Sequence, residues 1–413
     1  MENKKLKFPE GFLWGAATSA YQVEGGMHND WTEWEKLNAD RWAKQAGKRF
    51  NVWQQEKFPE MFEKENYISG KACDHYNKYE QDFDLAKEGG HNAHRFSIEW
   101  SRIEPKEGKF DEKEIEHYKN VVSALRKRGI EPFITLFHWT NPVWIQEKGG
   151  WANKEVVEYF TRYVEKITSA LGNDVKCWVV INEPNIFTMF SYIKGTQPFG
   201  IKNIIKGVNV FVNLARAHKK AYAVIHNNNQ NAKVGSTVSL FYFSTENFIV
   251  KKFASFGAYF WNHLFLKMVA KSSDFIGCNY YTIFKLKQDE NQLQVSDLNW
   301  SIFPEGIYLT LQKLKQYNLP IYITENGIAD SDDGKRTDFI KEHLKYIHKA
   351  INEGIDVRGY LHWSFMDNFE MPELRGFWPR FGLIEIDYKT QERKPRKSFY
   401  AYARICKENA VEI

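Results

Sequence analysis

The sequence has few cysteines, no long apolar run and almost no excess of charge, and each shortage excludes a class of protein. Its four cysteines are far apart in 413 residues and match no zinc-binding spacing, so reduced thiols in a cytosolic protein are the simplest account. No apolar stretch is long enough to cross a bilayer. The 57 basic and 52 acidic residues leave a formal charge of +5. This charge is mild for the length, and no basic cluster resembles a nucleic-acid-binding surface.

We expect no export signal at the amino terminus. Residues 1–7 are basic, but Phe8, Pro9 and Glu10 follow them in place of an apolar run. We therefore expect a cytoplasmic protein with neither a membrane nor a nucleic acid as partner. The sequence carries no signal for an oligomeric state.

Aromatic residues are abundant. They make up 16% of the chain, with 14 Trp, 21 Tyr and 31 Phe. This exceeds what a hydrophobic core usually needs, and aromatic side chains often form platforms for flat ligand faces, including those of sugar rings. Composition alone only suggests such a ligand.

Two short buried strands each end in a carboxylate. Residues 321–327 read IYITENG, a β-branched and aromatic run that delivers Glu325, and residues 175–184 read VKCWVVINEP and deliver Glu183. A single such Glu is best explained by a pairing Arg or by a helix cap. Two of them in the same setting favour a common cleft, because an unpaired buried carboxylate is costly.

The rest of the chain alternates strands with helices. We predict strands at residues 12–22, 91–100, 131–139, 175–184, 233–240, 273–281, 321–327 and 356–365, and a long loop with short helices up to residue 71. We predict helices at residues 111–129, 153–172, 209–226, 304–317 and 337–353, the first of them opened by Asp111. A doubly wound sheet would need a glycine-rich phosphate loop, which Gly25 and Gly26 alone do not supply. The pattern therefore predicts an α/β fold, a single (β/α)8 TIM barrel that forms one catalytic domain over residues 1–413.

Polar residues collect at or just past the carboxyl ends of these strands, which meet at one mouth of a barrel. They are Gln22, Arg95, His138, Asn182, Glu183, Asn279, Tyr281, Glu325, Trp363 and Glu370. The active site is therefore expected at the carboxyl-terminal ends of the strands.

Strands four and seven lie on opposite sides of such a ring, so Glu183 and Glu325 would face each other. Two opposed carboxylates suit glycosidic-bond hydrolysis, with retention when they are about 5 Å apart and inversion when they are farther apart. Arg95 and Tyr281 are candidates to keep Glu325 ionised, whereas the surroundings of Glu183 favour the raised pKa of a general acid. For Arg95 the competing interpretation is a structural salt bridge with Glu99 or Asp84.

The roles of His138 and Trp300 each have more than one interpretation. His138, next to Trp139, is either a satisfied core histidine or a hydrogen-bonding group of the site, and no second His or Cys stands at metal-ligand spacing. Trp300 is either a platform for the leaving group or loop packing. We expect no metal and no organic cofactor.

Several motifs in register carry a family resemblance that covers nearly the whole chain. They are residues 8–25 (FPEGFLWGAATSAYQVEG), 95–102 (RFSIEWSR), 182–184 (NEP), 279–281 (NYY), 323–327 (ITENG) and 380–383 (RFGL). Together they resemble glycoside hydrolase family 1, the β-glucosidase and β-galactosidase family of retaining enzymes.

This resemblance implies a role for each matching residue. Glu183 takes the acid/base position and Glu325 the nucleophile position. The positions that bind the sugar or support the nucleophile fall on Gln22, His138, Asn182, Glu370, Trp363, Asn279 and Tyr281. Trp139, Trp300 and Phe377 complete the candidate substrate-binding set. The expected substrate is a small oligosaccharide or an aryl or alkyl β-glycoside.

The chain also departs from the family pattern. Family members that act on 6-phosphorylated sugars generally lack the Glu at position 370, so an unphosphorylated sugar is expected here. Met371 stands where the family usually has Trp, and residues 370–380 are about two residues longer than usual. A short connection after the fifth strand suggests an open leaving-group site.

We therefore predict a retaining β-glycosidase acting on β-D-glucosides, and also on galactosides or fucosides. The alternatives are a 6-phospho-β-glucosidase, a sugar-binding barrel without catalysis, and a transferase that uses the same covalent intermediate.

Overall fold

Eight parallel strands close into a barrel in the computed structural model, which describes residues 5–244, 248–285, 293–371 and 375–413. Each strand is hydrogen-bonded to the strands before and after it in the chain, and the eighth pairs with the first. The barrel strands are Leu13–Ala17, Ala93–Ser97, Glu131–Phe137, Cys177–Asn182, Lys233–Ser239, Phe275–Asn279, Ile321–Asn326 and Val357–Trp363. This closed ring confirms the predicted fold class.

The barrel interior is a packed aromatic core. The rings of Phe133, Phe275 and Tyr322 meet edge to face, with centroids 5.2–5.4 Å apart. All six residues of Cys177–Asn182 and of Ile321–Asn326 are buried. Such continuous burial is what a parallel barrel covered by helices requires, and it explains why these strands read as uninterrupted apolar runs.

An α-helix packs outside each gap between strands. The helices that follow the eight barrel strands in turn are His75–Glu88, Glu112–Lys127, Val156–Leu171, Ile204–Asn228, Phe248–Val269, Glu305–Leu314, Arg336–Asn352 and Lys397–Glu408. Five of them lie at or near the predicted positions, and Asp111 caps the second by accepting from the Lys113 N–H at 2.9 Å. The connection after the fifth strand, which the sequence analysis describes as short, contains a 22-residue helix, Phe248–Val269. The sequence analysis missed this helix.

The predicted loop before residue 71 contains a long helix, Asp30–Arg49. Its amino terminus is a capping box, in which the Thr32 N–H donates to Asn29 Oδ1 at 3.0 Å and the Asn29 N–H donates to Thr32 Oγ1 at 2.9 Å. Trp31 and Trp42 are buried on one side of this helix. The other short α-helices are Ala20–Val23, Val52–Lys57, Trp100–Ile103, Val143–Glu147 and Pro184–Thr188.

The first strand is shorter than predicted. It ends at Ala17, and the chain turns into the helical segment Ala20–Val23, whose first N–H donates to Ser97 Oγ at 2.7 Å. Gln22 therefore reaches the barrel mouth from a helical turn and not from a strand end.

Three two-stranded pairs complete the described structure. They join Lys5–Lys7 to Ala410–Glu412, Ile384–Ile386 to Arg393–Pro395, and Tyr242–Ser244 to Ile283–Lys285. Among the described residues, every helix is too short or too polar to span a lipid bilayer.

Candidate active site

A cavity of about 650 Å³ opens at the carboxyl ends of the barrel strands. Of the predicted site residues, it is lined by Gln22, His138, Trp139, Asn182, Glu183, Tyr281, Trp300, Glu325, Trp363 and Glu370. Arg95 and Asn279 are fully buried and contact the two central carboxylates. The fold thus brings together side chains from strands that are far apart in sequence.

Glu325 is held by two donors, one on each carboxylate oxygen. Arg95 Nη1 donates to Oε1 at 2.5 Å, and the Tyr281 hydroxyl donates to Oε2 at 2.6 Å. Burial and the charge of Glu325 raise the pKa of Tyr281 well above its ordinary value, so the phenol keeps its proton. A carboxylate with a cation and a hydroxyl as partners is stabilised in its charged form.

Arg95 crosses the barrel interior to reach Glu325. Its Nε donates to Thr135 Oγ1 at 3.0 Å and its Nη2 to Asn182 Oδ1 at 2.7 Å. The alternative partners are engaged elsewhere. Glu99 accepts from the Ser101 and Thr140 hydroxyls, and Asp84 pairs with Arg128.

Glu183 has a neutral partner. Asn279 Nδ2 donates to Glu183 Oε1 at 2.9 Å, and the Thr324 hydroxyl donates to Asn279 Oδ1 at 2.7 Å, which fixes the amide orientation. Thr237 plays a similar part for Asn182, to which its hydroxyl donates at 2.6 Å. Sequence analysis missed both threonines, although Thr324 immediately precedes Glu325 in the strand.

The backbone of Glu183 adopts an uncommon conformation, and its pKa is raised. Its φ of 45° and ψ of 61° lie in the left-handed region, just before the helix that starts at Pro184. Such strained conformations in non-glycine residues cluster at functional sites. Burial, and next the charge of Glu325, raise the pKa of Glu183 to about 8, against a lowering by the Asn279 hydrogen bond. Glu183 is therefore mostly protonated at neutral pH.

His138 and Trp139 belong to one wall of the cavity. The His138 ring lies nearly parallel to that of Trp363, with centroids 6.1 Å apart. Burial and the charge of Arg95 lower the pKa of His138 well below its usual value, so the imidazole is neutral. Its Nε2 is 3.2 Å from Asn182 Nδ2, and Trp139 Nε1 donates to the Asn182 carbonyl at 2.9 Å.

Gln22 and Glu370 lie close to the segment that follows the eighth strand. Gln22 Nε2 donates to the Phe369 carbonyl at 2.7 Å, and the Ser19 hydroxyl donates to Gln22 Oε1 at 2.7 Å. Trp363 Nε1 donates to Glu370 Oε1 at 3.4 Å. Burial raises the pKa of Glu370 to about 8, which the nearby Arg375 guanidinium partly offsets.

Phe377 is the one predicted substrate-binding residue that the structure places away from the cavity lining. Its ring packs on Phe369 and Tyr388, with centroids 5.0 and 4.3 Å away, and its N–H donates to Asn66 Oδ1 at 2.9 Å. The expectation that it contacts substrate is therefore not supported by its position. Arg375 lines the cavity instead.

The segment around Glu370 differs from its sequence interpretation in other ways. Met371 is fully buried in the core, and residues 372–374 lie outside the described part of the chain. The Arg375 guanidinium lies 5.0 Å from the centre of the Trp300 ring, which lines the cavity as a flat surface. Sequence analysis missed Arg375, whose only signal was its place in the long segment.

No metal site accompanies these residues in the described part of the chain. There, no group of three His, Cys, Asp or Glu side chains is arranged to hold a metal ion. The geometry instead places Glu325 beside a cation and a phenol and Glu183 beside an amide, in a cavity that the buried Glu370 also lines.

Comparison with known proteins gives one consistent result. The model of glycosyl hydrolase family 1 matches residues 4–270 and 261–411. β-Glucosidase A of Thermotoga maritima is 33% identical over 98% of this chain and 99% of its own length. Among solved structures, a β-glycosidase from Pyrococcus horikoshii is 38% identical, covers 99% of this chain and 97% of its own, and superposes with a TM-score of 0.87.

A second solved structure is the β-glucosidase of Thermotoga maritima in complex with castanospermine. It is 31% identical, covers 99% of this chain and 100% of its own, and has a TM-score of 0.87. The matches span both ends of the chain and all eight barrel strands, so they confirm the resemblance inferred from the motifs. The chain belongs to glycosyl hydrolase family 1 and is a glycoside hydrolase.

Proposed function

We propose that the protein hydrolyses terminal β-D-glucosyl residues with retention, using Glu325 as the nucleophile and Glu183 as the acid/base. The observation that carries this assignment is the unequal surroundings of the two carboxylates. Glu325 accepts from a guanidinium and a phenol, whereas the hydrogen bond described for Glu183 comes from an amide. The first setting favours an anion and the second favours a protonated acid.

The reaction has two steps. Glu325 attacks the anomeric carbon while Glu183 gives its proton to the glycosidic oxygen, so the aglycone leaves as an alcohol and an α-glycosyl ester forms on Glu325. Glu183, now a carboxylate, takes a proton from water, which attacks the anomeric carbon and releases Glu325. The sugar leaves as the β-anomer.

Binding of the sugar is assigned to polar groups at the inner end of the cavity. We propose that Gln22, His138, Asn182 and Glu370 bind its hydroxyls and that Trp363 lies beneath its ring. The neutral His138 can donate or accept, which suits a hydroxyl. Trp139 and Trp300 add apolar walls. Galactosides and fucosides are expected as secondary substrates, because epimers differ by one or two hydrogen bonds, or about 1–3 kcal/mol.

Glu370 argues against a 6-phosphorylated sugar. As a carboxylate it would repel a phosphate, and as a carboxylic acid it offers a single hydrogen bond to an oxygen. Either form suits a neutral hydroxyl. The curated relative from Thermotoga maritima is a β-glucosidase by name, which supports the same choice.

Azide rescue tests the two roles separately. We expect the wild type to hydrolyse 4-nitrophenyl β-D-glucoside and to leave its 6-phosphate untouched. Glu325→Ala should lose activity and regain part of it with azide as the α-glucosyl azide. Glu183→Ala should instead yield the β-glucosyl azide from an activated substrate. The same anomer from both variants, or no rescue of either, would refute the assignment.

Two other interpretations give different results in the same assay. A sugar-binding barrel without catalysis would bind glucosides and turn over neither substrate. A transferase would turn over the substrate and pass most of the glucosyl groups to an added alcohol rather than to water. Product analysis with and without the alcohol distinguishes a transferase from a hydrolase.

We further propose that residues 1–413 act as one catalytic unit in the cytoplasm. The first and eighth barrel strands pair, so Gln22 and Glu370 reach one cavity from opposite ends of the chain. The four cysteines are all buried and free, which suits a compartment that keeps thiols reduced.

A further inference from the structure

Trp300 is carried by a tight turn at the edge of the cavity. The Ser296 N–H donates to the Trp300 carbonyl at 2.9 Å, and the Trp300 N–H donates to Ser296 Oγ at 3.2 Å. Val295 and Ser301 pair across the turn as an antiparallel bridge. Residues 295–301 are named here the Trp300 turn. Because Trp300 is only half-buried, this turn determines where its ring lies.

One buried carboxylate joins the Trp300 turn to the segment that follows Glu325. The Ser331 N–H donates to Asp297 Oδ2 at 2.7 Å, and the Asp297 N–H donates to the Ala329 carbonyl at 2.9 Å. Ala329 and Ser331 lie three and five residues after the end of the barrel strand Ile321–Asn326. The turn is therefore attached to the chain that continues from the strand of Glu325.

A helix at the rim supplies a second attachment. Lys57 Nζ lies 2.9 Å from Asp297 Oδ1, and Gln54 Nε2 donates to the Asp297 carbonyl at 2.7 Å. Both residues belong to the helix Val52–Lys57. Lys57 Nζ also lies 2.6 Å from Asp332 Oδ2, but the Asp332 side chain is 74% exposed, whereas that of Asp297 is 5% exposed. Loss of the buried carboxylate is therefore expected to disturb the structure far more than loss of the exposed one.

The other end of the Trp300 turn contacts Tyr281. The Trp300 and Tyr281 rings meet edge to face, with centroids 5.8 Å apart. In the next residue, the Thr282 hydroxyl donates to the Ser301 carbonyl at 2.8 Å. Tyr281 is the residue whose hydroxyl donates to Glu325 at 2.6 Å. A chain of direct contacts thus leads from the Trp300 turn to the phenol that holds Glu325.

We propose that Asp297 is a positioning residue for the reaction, because it fixes the Trp300 turn and so holds the Tyr281 hydroxyl on Glu325. The inference rests on the proposed β-glucosidase function, in which Glu325 is the nucleophile. Asp297 itself lies outside the cavity lining, so it acts only through its neighbours. A displacement of about 1 Å can lower the rate of an enzyme about 10²-fold, so a small movement of Tyr281 would slow the attack.

Asp297→Asn tests this role. The substitution keeps the shape of the side chain, removes the charge that pairs with Lys57, and turns an NH2 group toward another donor, either Lys57 Nζ or the Ser331 N–H. β-D-Glucosyl fluoride is the substrate, with release followed by a fluoride electrode. Fluoride has no carbon to contact Trp300, so the rate reports attack by Glu325 and not binding of a leaving group. We expect kcat/KM to fall about 5–50-fold.

Asp332→Asn is the matched control. It removes the exposed partner of the same Lys57 and should change kcat/KM by less than about twofold.

A double-mutant cycle shows whether Asp297 acts through Tyr281. In the Tyr281→Phe background the phenol is already gone, so Asp297→Asn should lower kcat/KM by less than about twofold further. A loss of folded protein would instead lower kcat/KM by the same factor in both backgrounds. Thr282→Val cuts the link at its other end, at the Ser301 carbonyl. It should lower kcat/KM at least about threefold in the wild type and by less than about twofold in Tyr281→Phe.

The outcomes separate the two proposals. Equal kcat/KM in Asp297→Asn and Asp332→Asn, or the same fold loss in the wild-type and Tyr281→Phe backgrounds, would overturn the positioning role while leaving β-glucosidase activity intact. If Asp297→Asn does not fold, the Thr282→Val cycle decides by the same criterion. No turnover of β-D-glucosyl fluoride or 4-nitrophenyl β-D-glucoside by the wild type would instead overturn the proposed function.

Discussion

The raised pKa of Glu183 predicts the basic limb of the pH–rate profile. A general acid must be protonated in the free enzyme, and kcat/KM reports the pKa of the free enzyme. Burial and the charge of Glu325 raise the pKa of Glu183 to about 8. Activity is therefore present below about pH 8 and is lost as pH rises through that value.

The size of this effect follows from the two pKa values. With a pKa of about 8, about 90% of the enzyme carries the Glu183 proton at pH 7. With the ordinary value of 4.5, only about 0.3% would carry it. The surroundings of Glu183 therefore account for a factor of about 300 in the active fraction at pH 7.

A comparison of two substrates isolates the effect of the Glu183 proton on the rate. Phenyl β-D-glucoside has a poor leaving group that needs the acid, whereas 2,4-dinitrophenyl β-D-glucoside departs without one. We expect kcat/KM for the phenyl substrate to halve near pH 8 and to fall about tenfold for each further pH unit. Glu183→Gln should lower the rate for the phenyl substrate about 10²–10⁴-fold and remove its basic limb. The rate for the dinitrophenyl substrate, which needs no proton, should fall far less and should show no basic limb near pH 8 in the wild type. A limb below about pH 6, or one that persists unchanged in Glu183→Gln, would refute the reasoning.

Three further predictions follow from contacts near Glu325. Tyr281→Phe removes the hydroxyl that donates to Glu325 at 2.6 Å. A hydrogen bond to a charged group contributes about 1.5–3 kcal/mol, so kcat measured by steady-state kinetics should fall about 10–100-fold. Arg95→Met leaves a buried carboxylate without its cation and should lower the free energy of unfolding by about 3–5 kcal/mol, measured by urea denaturation. In Gly327→Ala, the new Cβ would lie 1.6 Å from the Trp363 carbonyl oxygen, so little folded protein is expected on size-exclusion chromatography.

The two predictions about folding have matched controls. Arg358→Met breaks the exposed ion pair with Asp356 and should change the free energy of unfolding by less than about 1 kcal/mol, so an equal loss in both Arg variants would contradict the burial argument. Gly334→Ala meets no atom within 4 Å and should fold normally. For Tyr281→Phe, an unchanged circular dichroism spectrum with unchanged kcat would show that the phenol has no catalytic role.

The barrel and its central carboxylates were predictable because their signals are local. Glu183 and Glu325 each end a continuous apolar run. A polar side chain in that position is expected to face a cleft or a partner. Gln22 was predicted for the site but placed on a strand, since the small residues before it do not reveal where the strand ends. The helix Asp30–Arg49 was missed because its capping box uses Thr32, whereas the usual sequence signal is Glu or Gln.

The outer part of the site was less predictable. The sequence of Phe248–Val269 is rich in aromatic residues and has no clear polar face, so it lacks the 3.6-residue period that identifies a surface helix. Phe377 was predicted to contact the substrate, but its N–H donates to Asn66 Oδ1 and its ring packs on Phe369 and Tyr388. Such long-range contacts leave no local pattern in a sequence.

The predictable and the less predictable residues lie in different parts of the fold. The same division separates the residues that carry out the reaction from those that determine selectivity. Arg95 and Asn279 hold Glu325 and Glu183 through hydrogen bonds within the barrel, so a change there affects both stability and catalysis. Phe190, Trp261 and Phe284 line the same cavity from segments outside the barrel, and Phe284 is 48% exposed. A substitution at Phe284 should therefore cost little free energy of unfolding, while the two carboxylates keep their partners. The outer lining of the cavity can accordingly diverge within this fold without altering the chemistry at the anomeric carbon.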